Sequence, residues 1–425
     1  MPWSERSTMS LRHDFVELAS LEGANMQGLC ERYGISRPTG YKWLRRYQAK
    51  GSEGLADLPR RPHVSPWRTA DSIERALLSV RDAHPNWCGR KLRQVLLTEP
   101  LNEEATETVI EAARAAVSKE RVPAASTITE ILRRNGRLVP EECSKHQPFQ
   151  RFEHPHPNAM WQMDFKGHFG LLSGQRCHPL TVLDDHSRFC LVLSACSNER
   201  ANTVQEPLTS CFREHGMPEK ILCDNGPPWG GAGTKSCHTA FSAWLIRLGV
   251  SVYHGRPWHP QTQGKDERFH RTLLDELVRP VMGLSVRWNR GAASANKPGA
   301  SPSQSGKVVQ VQDHAACQAH FDSWRRVYNQ IRPHEAIDLQ VPARRYQPSQ
   351  RLFPEKPEPI VYDSEPGQVV RKVHPSGEIS FRNRRVFVGS AFAGEPVAIR
   401  NSDQDGLLNV FYCLQRIALI DQRTY

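Results

Sequence analysis

Three acidic residues stand where a fold could gather them around a divalent cation. Asp164 lies within residues 160–169, where large apolar residues alternate with polar ones, so the run reads as a strand. Asp224 closes the short apolar run 220–223 at a turn, the usual place for a ligand at the carboxyl end of a sheet strand. Glu267 falls in the first turn of an amphipathic helix that begins near Lys265, with Phe269, Thr272, Leu273 and Leu277 as its apolar stripe and Arg271 one turn on. Carboxylates are the ligands hard divalent ions select, and an acid beside cations suits a site that holds a metal ion and a phosphate together. Taken alone, a Glu and an Arg four residues apart are as readily a solvated surface pair. The three acids are 60 and 43 positions apart, so any shared site must be built by the fold.

The chain is 425 residues long, enough for two to four domains. Lys plus Arg number 56 against 45 Asp plus Glu, a formal charge of +11 that favours a polyanionic partner. With no run of eighteen apolar residues and no apolar core at the N-terminus, the sequence predicts a protein of the cytoplasm without a membrane partner. Eleven cysteines at scattered spacing, with no C-x-x-C pair, read as reduced thiols; Cys190, Cys196 and Cys223 sit in apolar runs as small core residues.

The elements that must position the acids can be read around them. Residues 26–33 and 37–47 are two helices about a turn at Gly34, Ile35 and Ser36, with Ser36 as cap and Pro38 in the first turn, a helix-turn-helix pattern. Tyr41 and Leu44 are expected to face the core. Arg37, Lys42, Arg45 and Arg46 are the candidate DNA contacts of the second helix, early residues for base edges and later arginines for phosphates. After a basic linker at 58–66, helices at 73–82, 90–97 and 126–135 form a second small helical module carrying Arg90, Lys91, Arg93, Arg133 and Arg134. Residues 143–157, rich in Pro and His, are a boundary where His154 and His156 read as loop residues and not as ligands. Strands at 160–169, 176–184 and 188–194, a helix at 199–215, a strand at 220–223, a helix at 238–248 and a strand at 250–254 then predict a mixed sheet with helices on its faces. Residues 291–306 have the composition of a flexible insertion, and 313–330 read as a helix packing Phe321, Trp324, Val327 and Tyr328 on the core. Short strands at 369–373, 378–381, 384–388, 396–400 and 408–413 predict a small β-barrel bearing Arg371, Lys372, Arg382, Arg384 and Arg385.

Together, Trp161-Gln162-Met163-Asp164, Leu183-Asp184-Asp185-His186-Ser187-Arg188, Asp224-Asn225-Gly226, His259-Pro260-Gln261-Thr262-Gln263-Gly264-Lys265-Asp266-Glu267-Arg268 and Tyr328-Asn329-Gln330-Ile331-Arg332-Pro333-His334-Glu335-Ala336 resemble the integrase-core transposases of bacterial insertion sequences, relatives of retroviral integrases with a ribonuclease-H-like domain. The resemblance covers roughly residues 150 to 350. It implies that Asp164, Asp224 and Glu267 are an Asp-Asp-Glu set of catalytic metal ligands holding two Mg²⁺ ions, with Mn²⁺ able to substitute. Such ions would stabilise both the entering and the leaving oxygens of an in-line displacement. Lys265, Arg268 and Arg271 join the candidate DNA contacts. Two departures stand out: the family position between Lys and Glu is usually apolar and here is Asp266, and the zinc module of retroviral integrases has no counterpart. Asp184 and Asp185 read as turn and ion-pair residues.

The fold class expected is therefore multidomain. Helix-turn-helix modules at 1–62 and 63–145 precede an α/β ribonuclease-H-like core with a mixed five-stranded sheet at 155–350, and a small β-barrel follows at 360–425. The function expected is that of a transposase that binds terminal inverted repeats, cleaves at the element ends and joins the 3′ ends to target DNA. Its partners are double-stranded DNA and, as a homo-oligomer, further copies of itself; its place is the bacterial nucleoid. A metal-dependent nuclease without strand transfer, or an inactive DNA-binding regulator, are the alternatives.

Overall fold

A computed structural model describes residues 7–57, 68–117, 121–138, 153–231, 238–255, 264–283, 311–363 and 367–424. The linker at 58–66, the insertion at 291–306 and the loop 258–263 before the Glu267 helix lie wholly or almost wholly outside these. The chain divides into two compact units, 1–68 and 69–425.

In the first unit α1 (Thr8–Ala19), α2 (Met26–Arg32) and α3 (Arg37–Lys50) pack around Phe15, Val16, Cys30, Trp43 and Leu55. Asn25 caps α2 and Ser36 caps α3 by accepting from main-chain N–H groups two to three residues on, which satisfies the open ends of both helices. Gly40 is where the helices meet: a Cβ there would stand 2.7 Å from Cys30 Sγ and 2.9 Å from Phe15 Cζ. The face of α3 differs from expectation. Trp43 and Gly40 are buried, whereas Tyr41 is 48% exposed and Leu44 only partly covered. A tryptophan contributes more buried area than a tyrosine, and its ring is roofed by Arg12, Lys42 and Arg46 at 4.0, 4.9 and 4.7 Å from its centroid.

The second unit opens with α4 (Asp71–Ala83), α5 (Gly89–Leu97), α6 (Thr108–Ala116) and α7 (Ala125–Arg134), whose apolar faces close on Leu77, Trp87, Leu92, Ile110, Ile128 and Ile131. There follow β1 (Trp161–Phe165), β2 (Phe169–Gly170), β3 (Arg176–Asp184), β4 (Cys190–Cys196), α8 (Ala201–His215), β5 (Lys220–Cys223), α9 (Ala240–Arg247), β6 (Ser251–His254) and α10 (Gly264–Leu273), the last continued by a π-helical turn Leu274–Val278. The sheet runs β4-β3-β1-β5-β6, with the two-residue β2 added beside β3. β1 and β4 are antiparallel to β3, and β5 and β6 run parallel to β1, which is the mixed sheet expected.

Both faces of this sheet are covered. Trp161, Met163, Leu180, Val182 and Ile221 pack with Val204, Leu208 and Phe212 of α8 and Phe241, Leu245 and Ile246 of α9. On the other face Leu183, Cys190 and Leu193 meet Phe269, Leu273 and Leu277 and α11 (His314–Arg326), which brings Phe321 and Trp324; Tyr328 follows in the π-helical turn Val327–Ile331. Phe269 sits edge-on to Trp324 and Tyr328, at 5.5 and 4.9 Å between centroids.

Side-chain amides stand in for a further strand at the two sheet edges, which otherwise would present unpaired main-chain groups. On β4, Asn329 accepts from Cys190 N at 2.8 Å and donates to Cys190 O at 2.9 Å; Gln318 accepts from Ala195 N and donates to Leu193 O. On β6, Gln415 accepts from Val252 N at 2.8 Å and donates to Val252 O at 2.9 Å.

After the short α12 (Pro342–Arg345), the C-terminal part comprises β7 (Val369–Lys372), β8 (Glu378–Phe381), β9 (Arg384–Phe387), β10 (Pro396–Asn401), β11 (Leu407–Tyr412) and β12 (Gln415–Asp421). These pair as a four-stranded antiparallel sheet β12-β11-β10-β7 and a separate hairpin β8-β9. Among the described residues the sheet is open, not the closed barrel expected. β12, absent from the sequence reading, supplies the Gln415 edge cap.

Candidate active site

Parallel pairing of β1 with β5 brings the first two acids together. Trp161 stands beside Ile221 and Gln162 beside Leu222, and the same register carried two places further sets Asp164 beside Asp224. The 60-residue spacing is the offset of this register. Strand alternation turns Trp161 and Met163 to the α8 and α9 face and leaves Gln162 and Asp164 for the face α10 covers. Both acids are half-buried at the carboxyl ends of their strands. Asp164 Oδ1 accepts from Phe165 N at 2.8 Å, Asp224 Oδ1 accepts from Gly226 N at 3.0 Å, and Asp224 O accepts from His254 Nδ1 at 2.9 Å.

Lys166, two residues past Asp164 and buried, ties the third acid to the pair. Burial pushes its ammonium down to about 8, opposed by Asp164 and then Glu267, with Arg279 and Arg271 acting in the same sense as burial. Asp164 on β1 and Glu267 on α10 thus both favour the charged form of this lysine. On α10 the buried positions are Asp266, Phe269, His270 and Leu273, one stripe at helical spacing, while Glu267, Arg268 and Arg271 are exposed. Asp266 therefore occupies a core position, fully buried, and neither carboxyl oxygen has a hydrogen-bond partner among the described residues. Burial, with Asp164 and Asp185 nearby, raises it well above the usual carboxylate range. A carboxyl so placed is retained as the neutral acid.

A polar layer that the sequence did not reveal joins α10 to the sheet. Thr181 Oγ1 donates to Asp164 O at 3.0 Å and lies 2.8 Å from His270 Nε2. Lys265 Nζ pairs with the Asp185 carboxylate, which also accepts from Gln162 Nε2 at 2.6 Å and from the main-chain N–H of His154 at 3.0 Å. Burial alone would raise Asp185; Lys265 and the bonds from Lys265 and His154 hold it below its ordinary value. Asp184 accepts from Ser187 N, Ser187 Oγ and Asn158 N, so both acids serve the turn and ion pairs, and desolvation leaves Asp184 raised. The signal for these partners was spacing on opposite sides of the chain, Thr181 to His270 and Asp185 to Lys265, which no local pattern shows.

Of the remaining candidates, Arg37, Lys42 and Arg45 are exposed on α3; Arg46 is partly covered and donates to Ala56 O at 2.6 Å. Lys265 is turned onto Asp185 and away from solvent. In the second helical module Arg90 pairs with Glu335, Arg133 with Glu130 and Arg134 with Glu74, and Lys91 is buried.

The mixed sheet with helices on both faces is the architecture of an integrase core. Residues 154–260 match the family described as "Integrase core domain", 14–63 a "Helix-turn-helix domain", 39–119 a "Homeodomain-like domain" and 368–425 the "IS481 family transposase, C-terminal domain". These matches, in this order along the chain, support an insertion-sequence transposase with a ribonuclease-H-like integrase core. The chain is similar to the Gag-Pro-Pol polyprotein of squirrel monkey retrovirus, 33% identical over 32% of this chain and 7% of that one. It is also similar to an insertion element IS476 protein of Xanthomonas euvesicatoria, 28% identical over 44% of each chain. The chain spans less than half the length of these curated relatives. A solved simian T-cell lymphotropic virus intasome covers 70% of this chain and 92% of its own, at 14% identity and TM-score 0.32.

Proposed function

We propose that this protein binds the terminal inverted repeats of its element, cleaves at the ends and joins the 3′ ends to target DNA, with Asp164, Asp224 and Glu267 as the catalytic set. The observation that supports the reading is the parallel β1–β5 register, Trp161 with Ile221 and Gln162 with Leu222, whose continuation would bring Asp164 alongside Asp224, while Glu267 and Asp164 act on the same lysine. The proposed ligands are all carboxylate oxygen, the type that hard ions such as Mg²⁺ or Mn²⁺ take in preference to a soft metal, and among the described residues the three are not drawn into one metal-holding group. Two such ions when bound supply positive charge to the entering and leaving oxygens of an in-line displacement.

The chain's own residues do the rest. In this reading the β1–β5 register supplies two carboxylates at neighbouring strand ends and α10, tied to the sheet through His270 and Lys265, carries the third. Buried Lys166 offsets part of the repulsion between Asp164 and Glu267. Arg268 and Arg271, exposed on the same helix as Glu267, suit the phosphates of a bound strand, and the basic face of α3 suits duplex recognition. Two ends must be joined to one target, so the active form is a homo-oligomer on DNA. No described helix is long and apolar enough to cross a membrane.

The test is an oligonucleotide assay with the DNA flanking the gene in Mg²⁺. Cleaved and joined products from wild type, and neither from Asp164→Asn, are expected. Cleavage without joined products would leave the nuclease alternative; neither product, with binding intact, would leave the regulator.

A further inference from the structure

A cleft of about 450 Å³ opens between the C-terminal four-stranded sheet and the β8–β9 hairpin, within the size range of pockets that enclose small ligands. Gly367, Arg371, Phe381, Arg382, Asn383 and Asn401 are among its walls. Arg371 donates to the main-chain carbonyls of Ser380 at 3.1 Å and Val370 at 2.9 Å, and Arg382 to Gln422 Oε1 at 2.7 Å. Each of these partners is neutral, so among the described residues these bonds leave both charges available to an anion. The Ser380 bond also links sheet to hairpin and holds the Arg371 guanidinium in place before any ligand arrives.

The rest of the lining is that of a base-binding site. Phe381 is half-buried with the Arg382 guanidinium 5.3 Å from its ring centroid. Arg382 and Asn383 occupy the two-residue turn with φ of 48° and 60°, a left-handed pair in which arginine replaces the small residues such turns favour. The turn thereby presents a guanidinium and an amide at the cleft mouth. Gly367 has φ of +80°, and a Cβ there would come 3.1 Å from Asn401 Nδ2, so the glycine keeps that amide and the floor of the cleft clear.

We propose that this cleft takes an unpaired nucleotide of a DNA strand, its phosphate between Arg371 and Arg382 and its base against Phe381 within reach of the two asparagine amides. Uncompensated cations select a polyanion, and a cationic groove with an aromatic platform is how proteins hold single strands. A duplex offers the cleft only its phosphates, because its bases are stacked inside. The assignment rests on the proposed action on DNA, in which cleavage frees a strand terminus at each element end.

The experiment uses the full chain and fluorescence anisotropy in roughly 0.15 M salt, with a labelled thymidine oligonucleotide of about ten residues and a blunt duplex of about twenty base pairs. Arg371→Gln with Arg382→Gln is expected to weaken oligonucleotide binding about tenfold and duplex binding less than about twofold, with an unchanged thermal midpoint. Arg382→Gln alone, at the exposed turn, serves if the double change perturbs folding, and is then expected to lower oligonucleotide affinity selectively. A photoreactive 5-iododeoxyuridine in the oligonucleotide should crosslink to the peptide containing Phe381. Equal losses on both probes, no loss on either, crosslinks confined elsewhere, or displacement of the oligonucleotide by an equal concentration of thymidine monophosphate would overturn the proposal. Wild-type protein that binds neither probe would instead overturn the DNA reading on which it rests.

Discussion

His270 Nε2 stands 2.8 Å from Thr181 Oγ1, and that hydroxyl donates in turn to the main-chain oxygen of Asp164. A hydroxyl has one proton to give, so with Asp164 as its acceptor the histidine must be the donor, carrying its proton on Nε2. The chain of bonds runs from α10, which holds Glu267, to the strand that holds Asp164. Both side chains are buried, and they help set where α10, with Glu267, sits relative to the strand of Asp164.

Thr181→Val keeps the shape and removes both bonds, stranding the His270 donor. A loss of about 1–3 kcal/mol is expected in urea unfolding. Burial, with Lys166 adding to it, holds His270 well below the usual imidazole value. The unfolded chain therefore binds the extra proton first, and the stability owed to neutral His270 is lost as pH falls below about 6.5. His270→Gln should flatten that part of the unfolding profile; an unchanged slope would count against the assignment.

Asp266 and Glu267 are adjacent in sequence and opposite in environment. Glu267→Gln should abolish both cleavage and joining while leaving DNA binding intact. Asp266→Asn should retain substantial activity, and Asp266→Val should raise stability at neutral pH by about 1–3 kcal/mol, since an unpartnered buried polar group is replaced by an apolar one. The raised acid gives the opposite pH sign to His270: the folded state keeps a proton the unfolded state releases, so its contribution fades as pH rises above about 3.9. Activity lost with Asp266→Asn and kept with Glu267→Gln would show the register to be wrong.

Asn329 exchanges two hydrogen bonds with the Cys190 main chain and thereby closes the β4 edge. Asn329→Leu should cost about 2–4 kcal/mol by leaving a buried N–H and C=O without partners. Amide hydrogen exchange is the discriminating measurement: protection should fall at Cys190 while persisting at the β1–β3 pairs.

Removal of residues 1–62 should abolish recognition of the repeats while the 63–425 fragment retains its folded core, as circular dichroism would report. Full-length binding should weaken with salt by roughly 0.9 log units per log of salt for each phosphate neutralised. An unaltered affinity of the fragment for the repeats, or an affinity flat in salt, would remove the role given to α3.

Local pattern determined much of this protein. Alternation and short apolar runs gave β3 and β5 their limits, and helical spacing gave α10 part of its stripe, Phe269 and Leu273. Tertiary structure decided what local spacing cannot encode. The parallel register of β1 and β5 put Trp161 beside Ile221 and Gln162 beside Leu222, residues 60 apart in the chain. Packing put Trp43 inside and Tyr41 outside, because the helix face is chosen by what the neighbouring helices cover and not by polarity alone. The Asp185 ion pair with Lys265, the Thr181–His270 bond and the Gln415 edge cap each join residues far apart in the chain, where only the fold can supply a partner. The C-terminal strands were readable one by one, but their closure was not: pairing between strands is a long-range contact, and here it yields an open sheet with a hairpin beside it.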